Sequence, residues 1–433
     1  MSNVPQNYRP VSLTSVCCKL LEHIVCRHIL THLEKHKILS DLQHGFRSGH
    51  SCESQLIITI NDLLEAYNDK DQIDLVILDF SKAFDTVPHQ KLLHKLKNYG
   101  IDGKINGWIE QFLTNRQQRV LVDGEFSSFD KVLSGVPQGT VLGPLLFLCH
   151  INDLPFHVKS QIRLFADDCL LYRKIKTEKD QQIIQDDLTA LEEWATTWGM
   201  KFNASKCYVM NIHRHQNPFT KFYQLSGLIL QQVTENPYLG LIIRDDMQWS
   251  SHINKICSKA NQTLGFIRRN LKHCNESFKK TAYITLVRSV LEYSCSVWDP
   301  HVDKDITKLE KVQRNAARFV KSDYSRHSSV TTMMNDLNWK PLHTRRRENR
   351  LVLLYKIVNN LVAIPPDKHL AFKTSKYNLR QNHSKQIVTK ESNVNSYKNS
   401  FFPRTIIDWN KLSEKEVNCQ SLDSFKAELQ RTI

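Results

Sequence analysis

Nothing in the 433-residue sequence approaches the length of an apolar membrane span, and the first ten residues are polar, without the apolar core of a secretory leader. These absences argue for a soluble intracellular protein, in the nucleus or the cytoplasm, with no membrane partner. The eleven cysteines include no CxxC pair, and the nineteen histidines fall in no HExxH spacing. Common zinc sites are thereby excluded, and reduced core thiols are the expectation. Internal repeats and long low-complexity runs are also missing, which excludes a solenoid or a disordered scaffold. What remains is an ordinary globular composition, 41% hydrophobic, long enough for two or three domains.

Acidic charge is scarce in one part only. Residues 1–250 carry 26 Lys and Arg against 28 Asp and Glu, whereas residues 251–433 carry 33 against 16. The whole net charge of +15 therefore comes from the C-terminal part. A near-neutral front joined to a basic tail section suits a reaction centre beside a region that binds a polyanion.

Hydrophobic spacing predicts helices over residues 11–37 and 51–67, then a buried strand in QIDLVILDF (residues 72–80) with Asp79 at its C-terminal end. HQKLLHKLKNYG and NGWIEQFLTN read as helices, and residues 116–133 read as two strands about the Asp123-Gly124 turn. SGVPQG is a turn-rich loop before the apolar helix TVLGPLLFLCHIND. In IRLFADDCLLY (residues 162–172) a strand alternating Ile162, Leu164 and Ala166 stops at Asp167-Asp168 and resumes, the pattern of a tight hairpin with both acids at its tip. A helix follows over residues 179–198. Beyond YLGLIIRDDMQW the chain turns to basic amphipathic helices. In the first of them, Ile253, Ile256, Ala260, Leu264 and Ile267 form one stripe, and Lys255, Lys259, Arg268 and Arg269 lie off it. Residues 372–401 are polar and aperiodic and read as a linker.

Taken alone, an Asp-Asp pair is an ordinary turn, and Asp79 reads equally as a helix cap or as a metal ligand. If the two strands were neighbours in one antiparallel sheet, however, the three carboxylates would converge. Converging acids without nearby Cys or His suit Mg²⁺, which also takes substrate phosphates. A pair of such ions would serve phosphoryl transfer.

Seven segments then occur in a characteristic order: NYRPVSLTS (7–15), QHGFRSG (43–49), LDFSKAFDTVPH (78–89), SGVPQGTVLGPLLF (134–147), FADD (165–168), GMKFNASKC (199–207) and YLGLII (238–243). In this order the chain resembles the reverse transcriptases of non-long-terminal-repeat retrotransposons, the jockey-type elements. LVRSVLEYSCSVWDP and LEKVQRNAARFV look like the C-terminal region of the same class. Phe165 stands where many reverse transcriptases carry Tyr, a mild change that keeps the ring.

The resemblance implies an α+β right-hand polymerase with an antiparallel palm sheet: fingers and palm over residues 1–245, a helical thumb over 246–320 and a basic extension over 321–433. It implies RNA-directed DNA polymerisation with an RNA template, a DNA primer or target DNA, and deoxynucleoside triphosphates (dNTPs), and it names no protein partner. Asp79, Asp167 and Asp168 would be the metal-holding catalytic acids for Mg²⁺, with Mn²⁺ as the alternative, and Lys206 would assist the leaving pyrophosphate. Arg9, Phe80, Phe84, Gln138 and Gly139 would form the nucleotide site, with Phe84 opposing a ribose 2′-OH and Arg9 reaching the triphosphate. Arg47, the turn Tyr238, Leu239 and Gly240, and the basic face of Lys255, Lys259, Arg268 and Arg269 would meet nucleic acid. The chain opens inside the fingers without an endonuclease region, so a piece of a larger element is expected. A non-catalytic nucleic-acid-binding remnant is the alternative function.

Overall fold

The computed structural model describes residues 10–373 and 383–432. Its main helices in chain order are α1 (Val16–Lys35), α2 (Cys52–Asn68), α3 (His89–Asn98), α4 (Gly103–Leu113), α5 (Leu142–Ile151), α6 (Glu178–Trp198), α7 (Ser250–Asn270), α8 (Asp303–Lys321) and α9 (Leu342–Val358). Its principal strands are β1 (Gln72–Leu78), β2 (Gln161–Phe165), β3 (Asp168–Ile175), β4 (Tyr208–Ile212), β5 (Gln231–Gln232), β6 (Glu235–Tyr238) and β7 (Leu241–Arg244). They form two compact units. The first comprises Met1–Ser51, Gln72–Asn211 and Gln216–Val233, the second Cys52–Asp71, Ile212–His215 and Thr234–Ile433.

The first unit is built on a five-stranded sheet of order β5-β4-β1-β3-β2. Its central pairings are antiparallel. β1 pairs with β3 from Gln72↔Ile175 to Leu78↔Cys169, and β2 pairs with β3 from Gln161↔Tyr172 to Phe165↔Asp168. β1 is buried along most of its length, which explains why its sequence is a nearly unbroken apolar run. Val76, Leu78, Leu164, Cys169 and Leu171 join Leu92 and Leu96 of α3, Leu146 and Phe147 of α5, and Leu188 and Leu191 of α6 in one core. Helix starts follow from local chemistry. The Ser15 hydroxyl accepts from the Cys18 amide ahead of α1, and Thr177 with Asp180 forms a reciprocal capping box ahead of α6, which ends at Gly199 with φ +73°.

One buried acid in the sheet does structural work. Asp74 is fully enclosed and accepts from Gln72 Nε2 (2.8 Å), Asn211 Nδ2 (2.7 Å), Gln181 Nε2 (3.3 Å) and Tyr223 Oη (2.6 Å). Four donors offset the desolvation of its charge.

The second unit is mostly helical. α7 buries Ile253, Ile256, Ala260, Leu264 and Ile267, the stripe expected from its sequence. Asp299 is the hub of a guanidinium cluster: Arg346 Nε reaches Oδ1 at 2.7 Å, while Arg350 Nε and Arg404 Nη1 reach Oδ2 at 3.0 and 3.3 Å. Asp408 takes Arg350 Nη2 at 3.0 Å and Arg347 Nε at 3.3 Å. The expected linker over residues 372–401 is revised where it is described. Phe372 bridges to Ile387, and His383, Ile387 and Tyr397 are buried. These anchors are single residues without a period, so no pattern announces them; residues 374–382 of that segment lie outside the described residues.

All eleven cysteines are free thiols. Among the described residues no helix is long and apolar enough to cross a membrane.

Candidate active site

The sheet register assembles the acids. Leu78↔Cys169 is the last β1–β3 pair, and one residue beyond it on each strand stand Asp79 and Asp168. On the other side of β3, Phe165↔Asp168 closes the β2–β3 hairpin, leaving Ala166 and Asp167 as its turn. The hairpin expected from IRLFADDCLLY is therefore present, with Ile162, Leu164 and Ala166 buried on its inner side. Like charges brought together at strand ends repel. Burial of the Asp168 carboxyl among its neighbours, then the charges of Asp167 and Asp79, raise it to about 6, although the residue as a whole keeps an exposed surface.

Asp79 is held through its backbone by the segment that precedes β4. Its carbonyl accepts from the Asn203 amide at 2.8 Å, its own amide meets Cys207 Sγ at 3.4 Å, and the Ser81 amide donates to Lys201 O at 2.8 Å. Burial pushes the Cys207 thiol up to about 11, so it serves here as a neutral packing group. Lys206 is exposed in the short turn Ala204–Lys206, directly before Cys207.

The donor set fits a hard divalent cation, since it offers carboxylate oxygens whose mutual repulsion a cation would relieve. Among the described residues, however, no three His, Cys, Asp or Glu side chains are drawn into a ready-made metal cage. Mg²⁺ is ordinarily bound by one or two carboxylates together with substrate phosphates, so a closed protein cage is not required.

After β1 the chain turns through Lys82, at φ +48°, into the one-turn helix Ala83–Thr86. Phe84 is half-buried on that turn, its ring stacked on Phe147 at 4.2 Å and edge-on to Phe46 at 6.3 Å. Phe80 differs. The residue is 4% exposed and its ring stacks on Phe202 at 4.3 Å, so what it can offer a nucleotide is backbone and not its ring.

The SGVPQG loop lies against the same turn. The Val136 amide donates to Phe84 O at 2.7 Å and the Gly135 amide to Val87 O at 2.8 Å. A Cβ on Gly135, at φ +92°, would come within 2.7 Å of the Asp85 backbone, so the close approach requires glycine. Gln138 Nε2 donates to Asp85 Oδ1 at 2.8 Å, and the Ser12 amide donates to Gln138 O at 2.7 Å. Gly139 is exposed beside it at φ +87°. Behind the loop, buried Glu22 of α1 accepts from the Val141 and Leu142 amides at 2.7 and 3.0 Å and so caps α5.

The remaining expected contacts are dispersed. Arg9 lies outside the described residues. Arg47 turns inward, donating to Ser40 O at 2.7 Å, and its side chain is 10% exposed. In the second unit, Tyr238, Leu239 and Gly240 form the β6–β7 turn. Tyr238 is buried within reach of Gln55 Nε2 (3.2 Å), while Tyr293 donates to Leu239 O at 3.1 Å and lays its ring where a Gly240 side chain would go. Lys255, Lys259, Arg268 and Arg269 are exposed on α7, as is Phe266 between them. Sequence reasoning missed Asp85, Glu22 and Gln43, which act through other residues. Asp85 lies in LDFSKAFDTVPH and Gln43 in QHGFRSG, but only contacts distant in sequence give them a role.

Comparison with known proteins bears on the family of the chain. The sequence profile described as "Reverse transcriptase (RNA-dependent DNA polymerase)" matches residues 2–243. The probable RNA-directed DNA polymerase from transposon BS of Drosophila melanogaster is 29% identical over 369 residues, covering 80% of this chain and 40% of that protein. The RNA-directed DNA polymerase from mobile element jockey of the same organism is 31% identical over 259 residues, covering 58% of this chain and 28% of that one. The chain thus spans 40% or less of the length of these relatives. A solved structure of apo telomerase from Candida tropicalis aligns with a TM-score of 0.42 at 11% identity, over 73% of this chain and 51% of that one. More than half of the chain matches the family profile, and the α+β architecture is consistent with a right-hand polymerase; the chain belongs to the reverse transcriptase family, with relatives of the non-long-terminal-repeat kind.

Proposed function

We propose that this chain carries the RNA-directed DNA polymerase centre of such an element, joining a dNTP to a primer 3′-OH opposite an RNA template. The observation that carries the reading is the register of β1, β2 and β3, which brings Asp79, Asp167 and Asp168 to one end of the sheet.

In this reading the three carboxylates would hold Mg²⁺, or Mn²⁺ in its place, and the bound cation would supply neutralisation of phosphate charge. Asp79 and the Asp167-Asp168 turn orient the reacting groups, with the primer oxygen attacking the α-phosphorus and pyrophosphate leaving. Lys206, exposed beside the Asp79 strand end, offers a proton or a positive charge to that leaving group. Phe84 presents a ring edge to the sugar while Phe147 backs its face, and Gln138 and Gly139 present a carboxamide and bare backbone to the nucleotide. Arg9, outside the described residues, is assigned to the triphosphate by the family resemblance alone, and Arg47 reaches the template side only by leaving Ser40. The α7 face and the turn at Tyr238, Leu239 and Gly240 take the phosphates of the template and of the DNA primer or target. Location in the nucleus or the cytoplasm follows from that work.

Primer extension on an RNA template tests the proposal. The wild-type chain should extend in Mg²⁺ or Mn²⁺, and Asp167→Asn should abolish extension while leaving template binding intact. Extension at the wild-type rate by Asp167→Asn would remove the acids from the reaction. No extension by the wild type, with binding retained, would favour a nucleic-acid-binding remnant.

A further inference from the structure

We infer that Gln43 is the positioning residue of the aspartate-bearing turn, a claim that deepens the polymerase reading and rests on it. Residues 42–45 run beside the outer edge of β2 as a short parallel rung. The His44 amide donates to Leu164 O and the Leu164 amide to Leu42 O, both at 2.9 Å, with Gln43 bridged to Leu164. From that rung the Gln43 side chain, 2% exposed, reaches past the end of the strand. Its Oε1 accepts from the Ala166 amide at 2.8 Å and from the Gly45 amide at 2.7 Å, and its Nε2 donates to Ala166 O at 3.3 Å.

One carboxamide thus holds both backbone polar groups of Ala166. That residue sits at φ +53°, a left-handed conformation that an alanine adopts only when its surroundings impose it, and it immediately precedes Asp167 and Asp168. Ala166 is itself 6% exposed, so without Gln43 its N–H and C=O would be buried with two partners fewer. The approach is close enough that a Cβ on Gly45 would fall 2.4 Å from the Ala166 nitrogen. Arg47 braces the rung from behind through Ser40 O.

The required chemistry is specific. Only a side chain that accepts from two amides and donates to one carbonyl satisfies the site, and glutamine has both the reach and the two ends. Glutamate keeps the acceptors, loses the donor and adds a negative charge close to two others. Leucine keeps the bulk and loses all three hydrogen bonds.

Gln43→Leu and Gln43→Glu in the full chain test the inference, read first by hydrogen exchange of a peptide spanning residues 164–168 and by Mn²⁺ binding through its paramagnetic resonance signal. Gln43→Leu should speed exchange there by about tenfold, and weaken the Mn²⁺ midpoint by about tenfold. Gln43→Glu should fall between it and wild type. In single-turnover primer extension the rate should drop in the same order, with template Kd unchanged. Wild-type exchange and Mn²⁺ midpoint in a folded Gln43→Leu protein would overturn the inference. If leucine prevents folding, Gln43→Glu decides it by the same two readouts. A wild-type chain that binds Mn²⁺ and protects residue 166 but never extends a primer would refute the polymerase reading and leave the role of Gln43 in the turn standing.

Discussion

Gln138 gives its amide hydrogen to Asp85, at 2.8 Å, and that single bond decides which end of the carboxamide remains for a ligand. Asp85 can only accept when ionised, so Nε2 is turned toward it and Oε1 faces away. Asp85→Asn removes the constraint, because an amide partner can accept or donate and lets Gln138 flip. The expected result is a dNTP KM higher by about threefold to tenfold, the loss of roughly one neutral hydrogen bond, with kcat little changed. An unchanged KM would show that the orientation of Gln138 does not matter to the nucleotide.

Phe84 should control sugar choice. Phe84→Ala removes the ring opposed to a ribose 2′-OH, so ribonucleotide incorporation should rise relative to deoxynucleotide incorporation in matched primer extensions. The same substitution unstacks Phe147 and should destabilise the first unit by about 2–3 kcal/mol, measurable by urea denaturation. Unaltered sugar discrimination in a still-active variant would leave the packing role as the whole of it.

The cationic surface of α7 should report itself through salt. Replacing Lys255, Lys259, Arg268 and Arg269 with Gln should flatten the log–log dependence of template Kd on salt, by about 0.7–0.9 for each phosphate contact removed. Equilibrium binding at several salt concentrations measures this. An identical slope would place the backbone of the nucleic acid on another surface.

Acid should weaken the first unit through His150. This imidazole on α5 is fully buried and held down to about 3, by burial first and by the Lys95 charge second. Below its ordinary value of 6.5 the unfolded chain takes up a proton that the folded chain refuses. The stability in question is therefore complete above pH 6.5 and is lost as pH falls toward 3, by about 1.4 kcal/mol per pH unit. His150→Phe should flatten the pH dependence of the unfolding free energy, measured by urea denaturation, between pH 6.5 and 5 by up to about that amount. A variant with the wild-type slope would mean that His150 does not titrate in this range.

What could be read from the sequence was what local pattern encodes. The apolar run of β1 with Asp79 at its end, the alternation about Asp167-Asp168, and the stripe of α7 all return in the structure at nearly the expected residues. Phe80 and Phe84 show where that reading stops: both are aromatic residues in one motif, yet one ring enters the core and the other stays half-exposed, a choice made by Phe202 and Phe147 far along the chain. The grouping of α2 with Thr234–Ile433 has no local signature either, since it depends on which apolar faces find each other after collapse. Gln43 was visible as the first residue of QHGFRSG, but its use depends on a turn more than a hundred residues away.

The guanidinium cluster around Asp299 bears on how this sequence can change over time. A carboxylate shared by Arg346, Arg350 and Arg404 cannot be exchanged for a neutral residue without stranding buried positive charge. Change at position 299 should therefore be coupled to change at 346 and 350: a lineage that replaces the acid is expected to have replaced arginines around it as well.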